Sequence, residues 1–106
     1  MKVLHLNSEN FDKEVLETEQ TVLVDFYADW CGPCKMMTPV VEKIAEEAST
    51  KVKICKINID EALDIASKYE VMSIPTFITF VNGEPKSRKI GVQSEETLKE
   101  IIGLQK

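Results

Sequence analysis

Apolar and polar positions recur with two different periods along this chain, and the changes of period divide it into elements. Lys2 to Leu6 reads as a short first strand. Asn7 or Ser8, followed by Glu9, supplies a cap and a negative first turn for a helix to about Glu17, with Phe11, Val15 and Leu16 on its apolar face. Thr21 to Tyr27 is almost continuously apolar and rich in β-branched and aromatic residues, the pattern of a central strand buried on both faces. Asp25 interrupts it. Met37, Val41, Ile44, Ala45 and Ala48 then recur at helical spacing with Glu42, Lys43, Glu46 and Glu47 on the other side, which predicts a long amphipathic helix. Pro39 inside it removes a backbone donor and predicts a kink.

Lys51 to Ile59 is the next strand, and Asp60 stands where it would cap a helix from Ala62 to Tyr69. The tail changes character. Asn82-Gly83 separates Thr76–Val81 from Lys86–Ile90, and because both central residues of such a turn need positive φ, this pair predicts an antiparallel hairpin. Ser94 with Glu95 and Glu96 opens a last helix to about Leu104, with Leu98, Ile101 and Ile102 inward. A βαβαβα run followed by a hairpin and a helix predicts an α/β fold, a mixed sheet with helices on both faces.

Length adds that residues 1–106 should form a single domain. A net charge of -5 disfavours nucleic acid and anionic membranes as partners. Apolar runs of about six residues fall far short of the roughly 20 that span a membrane, and the first residues do not resemble a secretory signal, so a soluble, cytoplasmic protein is expected. Three cysteines are too few and too odd for a disulfide-stapled secreted framework.

Trp30-Cys31-Gly32-Pro33-Cys34-Lys35 is the stretch that carries chemistry. Two thiols at this spacing can close a small ring with each other. If Cys31 caps the helix, its sulfur meets free N–H groups and the positive helix end, which favour a thiolate, and the Cys34 amide is the one best placed to bond it because Pro33 has none. Cys34, one turn in, should be the more buried. Cys31 would then attack a target disulfide, and Cys34 would resolve the mixed disulfide. Gly32 and Pro33 place no cation beside the sulfurs, which favours a reductant over an oxidant. The competing use of such a pair is half a zinc site, for which His5 and Cys55 would have to complete four ligands from separate strands. No metal or other cofactor is expected. The four glycines form no phosphate-binding loop, and His5 has no cysteine partner. Asp25 is costly in an apolar strand unless neutralised or paired, and burial should raise its pKa toward neutrality. Cys55 reads as a small buried hydrophobe, with a regulatory thiol as the alternative.

Val24-Asp25-Phe26-Tyr27-Ala28-Asp29-Trp30-Cys31-Gly32-Pro33-Cys34-Lys35 closely resembles the thioredoxin family. The likeness extends to Pro39, to Lys56-Ile57-Asn58-Ile59-Asp60, to Ile74-Pro75-Thr76-Phe77, and to Asn82-Gly83 with Gly91. It implies the thioredoxin fold, a central five-stranded mixed sheet flanked by four helices, with strands in the order first, third, second, fourth, fifth. It also implies a cis peptide at Ile74-Pro75 facing the cysteines, and a lowered Cys31 pKa, a property for which thioredoxins are themselves a standard example. Trp30, Ile59, Ile74, Pro75, Ile90 and Gly91 would line an apolar surface that receives an extended target segment. Asp25, with Lys56 near it, would take the proton from Cys34; a purely structural Asp25–Lys56 pair is the alternative. The implied activity is that of a protein disulfide reductase, a thiol-disulfide oxidoreductase re-reduced by a thioredoxin reductase and acting as a monomer on disulfide-containing proteins. An oxidase or isomerase, or a non-catalytic binding subunit, are the rival readings. Tyr27, Ser73 and Val92 depart from common family residues, which bears on partner choice.

Overall fold

The structure is a computed structural model and describes residues 3–103. The expectations for Lys2 and Leu104 lie outside the described residues. Five strands, β1 (Val3–Leu6), β2 (Thr21–Tyr27), β3 (Val52–Asn58), β4 (Thr76–Val81) and β5 (Glu84–Ile90), form one sheet in the order β1-β3-β2-β4-β5. β3 runs parallel to both β1 and β2, whereas β4 is antiparallel to β2 and to β5. The family resemblance implied this order and put the last two strands antiparallel to the rest; β4 is so, but β5, antiparallel to its hairpin partner β4, runs parallel to β1, β2 and β3.

Strand alternation divides the core into two layers. Val22, Val24 and Phe26 of β2 pack with Cys55, Ile57, Ile78 and Phe80 on one face, beneath Phe11, Val15 and Ile65. On the other face Leu23, Ile54 and Phe77 meet Met37, Val41 and Ile44 of α1 (Gly32–Glu47) and Leu98 of α3 (Glu95–Ile101). Each face of β2 is therefore covered, which is why its sequence is almost unbroken apolar. Asp25 falls on the same face as Leu23, the one that α1 covers.

The first helix is shorter than the periodicity suggests. Asn7 does act as a cap, its Oδ1 accepting the amides of Glu9 and Asn10 at 2.8 and 2.9 Å. The coil that follows, Asp12–Leu16, is a single wide π turn in which Glu17 N–H donates to the Asp12 carbonyl five residues back. Lys53 holds the end of this turn: its ammonium donates to both the Glu14 carbonyl and the Glu14 carboxylate at 2.9 Å, bonding a carbonyl that the helix end leaves without an internal donor.

α1 runs unbroken through Pro39. β3 ends at Asn58, one residue before the expected Ile59, because Asn58 Oδ1 caps Asp60 N–H at 2.9 Å and starts a short 3-10 turn, Ile59–Glu61. Asp60 is thus not the cap of the next helix, α2 (Leu63–Lys68), which begins after Ala62 without a side-chain cap. Asn82 and Gly83 take φ of 53° and 80°, as the hairpin demands. Ser94 caps α3, its Oγ accepting Thr97 N–H at 3.0 Å. Glu95 and Lys99 do more than face water: Lys99 Nζ bridges Glu47 at 2.6 Å and Glu95 at 2.8 Å, and Lys43 also reaches Glu95, so the network ties α1 to α3.

Candidate active site

The carboxyl end of β2 passes through a tight turn into α1, and the two cysteines lie at that junction. Cys31 N–H donates to the Ala28 carbonyl, closing the turn, and Cys31 itself is the N-cap in extended conformation. Gly32 and Pro33 are the first two helical residues, so Pro33 sits where a missing amide costs no helical bond. Cys34 follows one turn in. Its N–H donates to Cys31 Sγ at 3.2 Å, the bond the sequence argues for. The two sulfurs are joined as a disulfide, with Cα atoms 5.2 Å apart. Burial does not rank the two residues, since each is 5% exposed; the expectation that Cys34 is the more buried is not met in the disulfide form. What distinguishes them is position, because Cys31 accepts the helix-end amide and Cys34 supplies it.

Three other segments converge here. The Ile74–Pro75 peptide is cis, and the Ile74 carbonyl oxygen lies 3.8 Å from Cys31 Sγ. Ile59 and Ile74 pack half-buried against the cysteine pair. Gly91 N–H donates to the Pro75 carbonyl at 2.8 Å, and Ile90 pairs with Thr76 in the β4–β5 ladder, which brings Ile90 and Gly91 to the same rim. Trp30 is 69% exposed and Ile90 56%, as a contact surface requires, while Pro75 is buried beneath it. Trp30 Nε1–H donates to Asp60 Oδ2 at 2.8 Å, fixing the indole over the turn after β3. Sequence reasoning missed this role of Asp60, which it had placed in a helix cap. Met72 and Val92 add further exposed apolar surface in segments that flank Ile74 and Gly91.

Asp25 is 2% exposed, and its Oδ1 has no hydrogen-bond partner. Burial pushes its pKa from 3.8 to about 7, opposed in part by the positive charge of Lys56. Lys56 is the register partner of Asp25 on β3, yet among the described residues it forms no direct ion pair with it. Its Nζ lies instead 4.4 Å from the centroid of the Tyr27 ring. A cavity of about 370 Å³ opens beside these groups, lined by Tyr27, Ala28, Asp29, Cys34, Lys35, Thr38 and Lys56. It joins Cys34 to Lys56. Tyr27 belongs to this arrangement, and the signal for it was available: Asp25 and Tyr27 alternate on one face of a strand.

Cys55 points into the opposite layer of the core, where burial pushes its thiol up to about 12. His5 is exposed on the edge strand β1, as the register partner of Lys56, and among the described residues no three His, Cys, Asp or Glu side chains form a metal-sized cluster. The four donors of the zinc alternative are not brought together. No helix among the described residues is long and apolar enough to cross a membrane.

The family model described as Thioredoxin matches residues 2–103. A thioredoxin of Rickettsia felis is 50% identical over 98 residues, covering 92% of this chain and 93% of that relative. One from Rickettsia conorii is 52% identical over 93 residues, covering 88% and 89% respectively. Among solved structures, a mutant thioredoxin from Halobacterium salinarum NRC-1 superposes with a TM-score of 0.85 at 40% identity, covering 95% of this chain and 88% of that one. A disulfide at a helix end beside a cis-proline loop, on this sheet, defines a thiol-disulfide oxidoreductase. Within that class the chain belongs to the thioredoxin family, and its redox-active pair supports disulfide reduction.

Proposed function

We propose that the reduced protein donates two electrons to disulfides of other proteins, with Cys31 as attacking sulfur and Cys34 as resolving sulfur. The observation that carries this assignment is the Cys34 N–H aimed at Cys31 Sγ from the first turn of α1, a donor that stabilises negative charge on Cys31 when the pair is reduced. The Cys31 thiolate attacks one sulfur of the target, a mixed disulfide forms, and the other target sulfur leaves and takes up a proton. Asp25, whose pKa burial raises to about 7, accepts the Cys34 proton directly or through water in the cavity beside Cys34. Cys34 then attacks Cys31 Sγ, the Cys31–Cys34 disulfide forms, and the second target sulfur is released.

Trp30, Ile59, Ile74, Pro75, Ile90 and Gly91 receive the target as an extended segment. Such a surface selects weakly for side chains, in keeping with many targets. In this reading residues 1–106 act as one domain and as a monomer in the cytoplasm, and a thioredoxin reductase returns two electrons and two protons to the pair. The experiment is trapping. Cys34→Ser incubated with a protein disulfide is expected to accumulate a mixed disulfide through Cys31, whereas Cys31→Ser accumulates none. Equal trapping by the two variants would reverse or abolish the assignment.

A further inference from the structure

Tyr27 lies two residues beyond Asp25 on β2, so their side chains leave the same face of the sheet, and Lys56 rises beside them from β3. The Lys56 ammonium therefore has two seats within reach of its stem, the electron-rich face of the Tyr27 ring and the Asp25 carboxyl. It occupies the ring, 4.4 Å from the centroid, and the Asp25 Oδ1 is left without a partner. An ammonium bonded directly to the carboxylate would hold it as an anion with little affinity for a proton. One held on the ring does not.

The other groups facing this spot come from every neighbouring element. Asp29 stands in the turn after β2, Cys34 and Lys35 on α1, and Glu61 after β3; β1 contributes the exposed His5, the register partner of Lys56, and β4 contributes Phe77, the register partner of Asp25, which carries no charge. Asp29, Glu61 and Asp25 all add to burial in raising the Tyr27 phenol, so the ring remains neutral and its face available to a cation. None of these groups is bonded to Lys56 in the described structure.

We propose that Tyr27 is a positioning residue for disulfide reduction: its ring seats the Lys56 ammonium beside the Asp25 carboxyl instead of on it, leaving that carboxyl free to take the Cys34 proton. The inference rests on the Asp25 role given above. Its test reads Asp25 itself, so the two can fail separately.

In the native oxidised protein, the Lys56 ε-methylene protons are expected to be shifted upfield by the ring, a measurement that needs no variant. Unshifted resonances would overturn the proposal. The Asp25 carboxyl is then titrated by 13C NMR in wild type, Tyr27→Phe, Tyr27→Leu, Lys56→Gln and the Tyr27→Leu/Lys56→Gln double variant. Tyr27→Leu is expected to lower the Asp25 midpoint by about one pH unit, a ~10-fold loss of proton affinity. Tyr27→Phe, which keeps the ring face, should leave it in place, and Tyr27→Leu should have no effect in the Lys56→Gln background. An equal shift in Tyr27→Phe, an unchanged or higher midpoint in Tyr27→Leu, or the same fall without Lys56 would each overturn it. Failure of the Asp25 role shows elsewhere, as a pH–rate profile of reduction unaltered in Asp25→Asn.

Discussion

Asp25 carries a cost that the rest of β2 does not. With its pKa raised from 3.8 to about 7, the folded protein holds this proton where the unfolded chain has released it. The stabilisation from the neutral form is complete below about pH 4 and is lost as pH rises through 7. Replacing Asp25 with Asn removes the charge, so Asp25→Asn is expected to be more stable than wild type at pH 8 to 9 by about 2–4 kcal/mol, the gain shrinking toward zero near pH 4. Denaturant unfolding across that range checks it; a gain independent of pH would contradict the raised pKa. The same variant should reduce protein disulfides more slowly and lose the pH dependence near 7. A carboxylate in an apolar strand was visible in the sequence, and so was its cost. Its lack of a direct partner was not, because whether Lys56 bonds the carboxyl or the Tyr27 ring depends on side-chain reach across two strands.

Elements with strong internal signals were legible and those shaped by outside partners were not. The Asn82-Gly83 turn and the Ser94 cap are local chemistry, and both stand where the residues put them. The Asp12–Leu16 segment closes as one wide turn, and Lys53, distant in sequence, takes the Glu14 carbonyl at its end. Asp60 resembles a cap by spacing, yet Asn58 caps first and leaves Asp60 to accept the Trp30 indole. That bond joins the turn after β3 to the turn before α1 and holds Trp30 exposed beside the disulfide. Trp30 is the sole tryptophan, so its emission reports this junction, and it is expected to differ between the oxidised and reduced protein. Identical spectra in the two states would contradict the placement.

The molecule brings its site together from the ends of β2 and β3, the loop before β4 and the end of β5. Alternation along the chain indicated a mixed sheet, while the order of the strands and the cis proline came only through family likeness, since neither follows from local pattern. The edges are guarded in ways consistent with a chain that must present one apolar surface without aggregating. β1 is four residues long, and β5 carries Pro85, Lys86, Arg88 and Lys89. Around the disulfide the helix supplies one amide and no side-chain cation from Gly32 or Pro33, so the dithiol gains little extra stability over the disulfide. This favours a reductant over an oxidant. Equilibrating it with a glutathione redox buffer and measuring the fraction of Cys31–Cys34 disulfide gives the potential of the pair. A value more negative than that of glutathione is expected; a value equal to it or more oxidising would contradict the account.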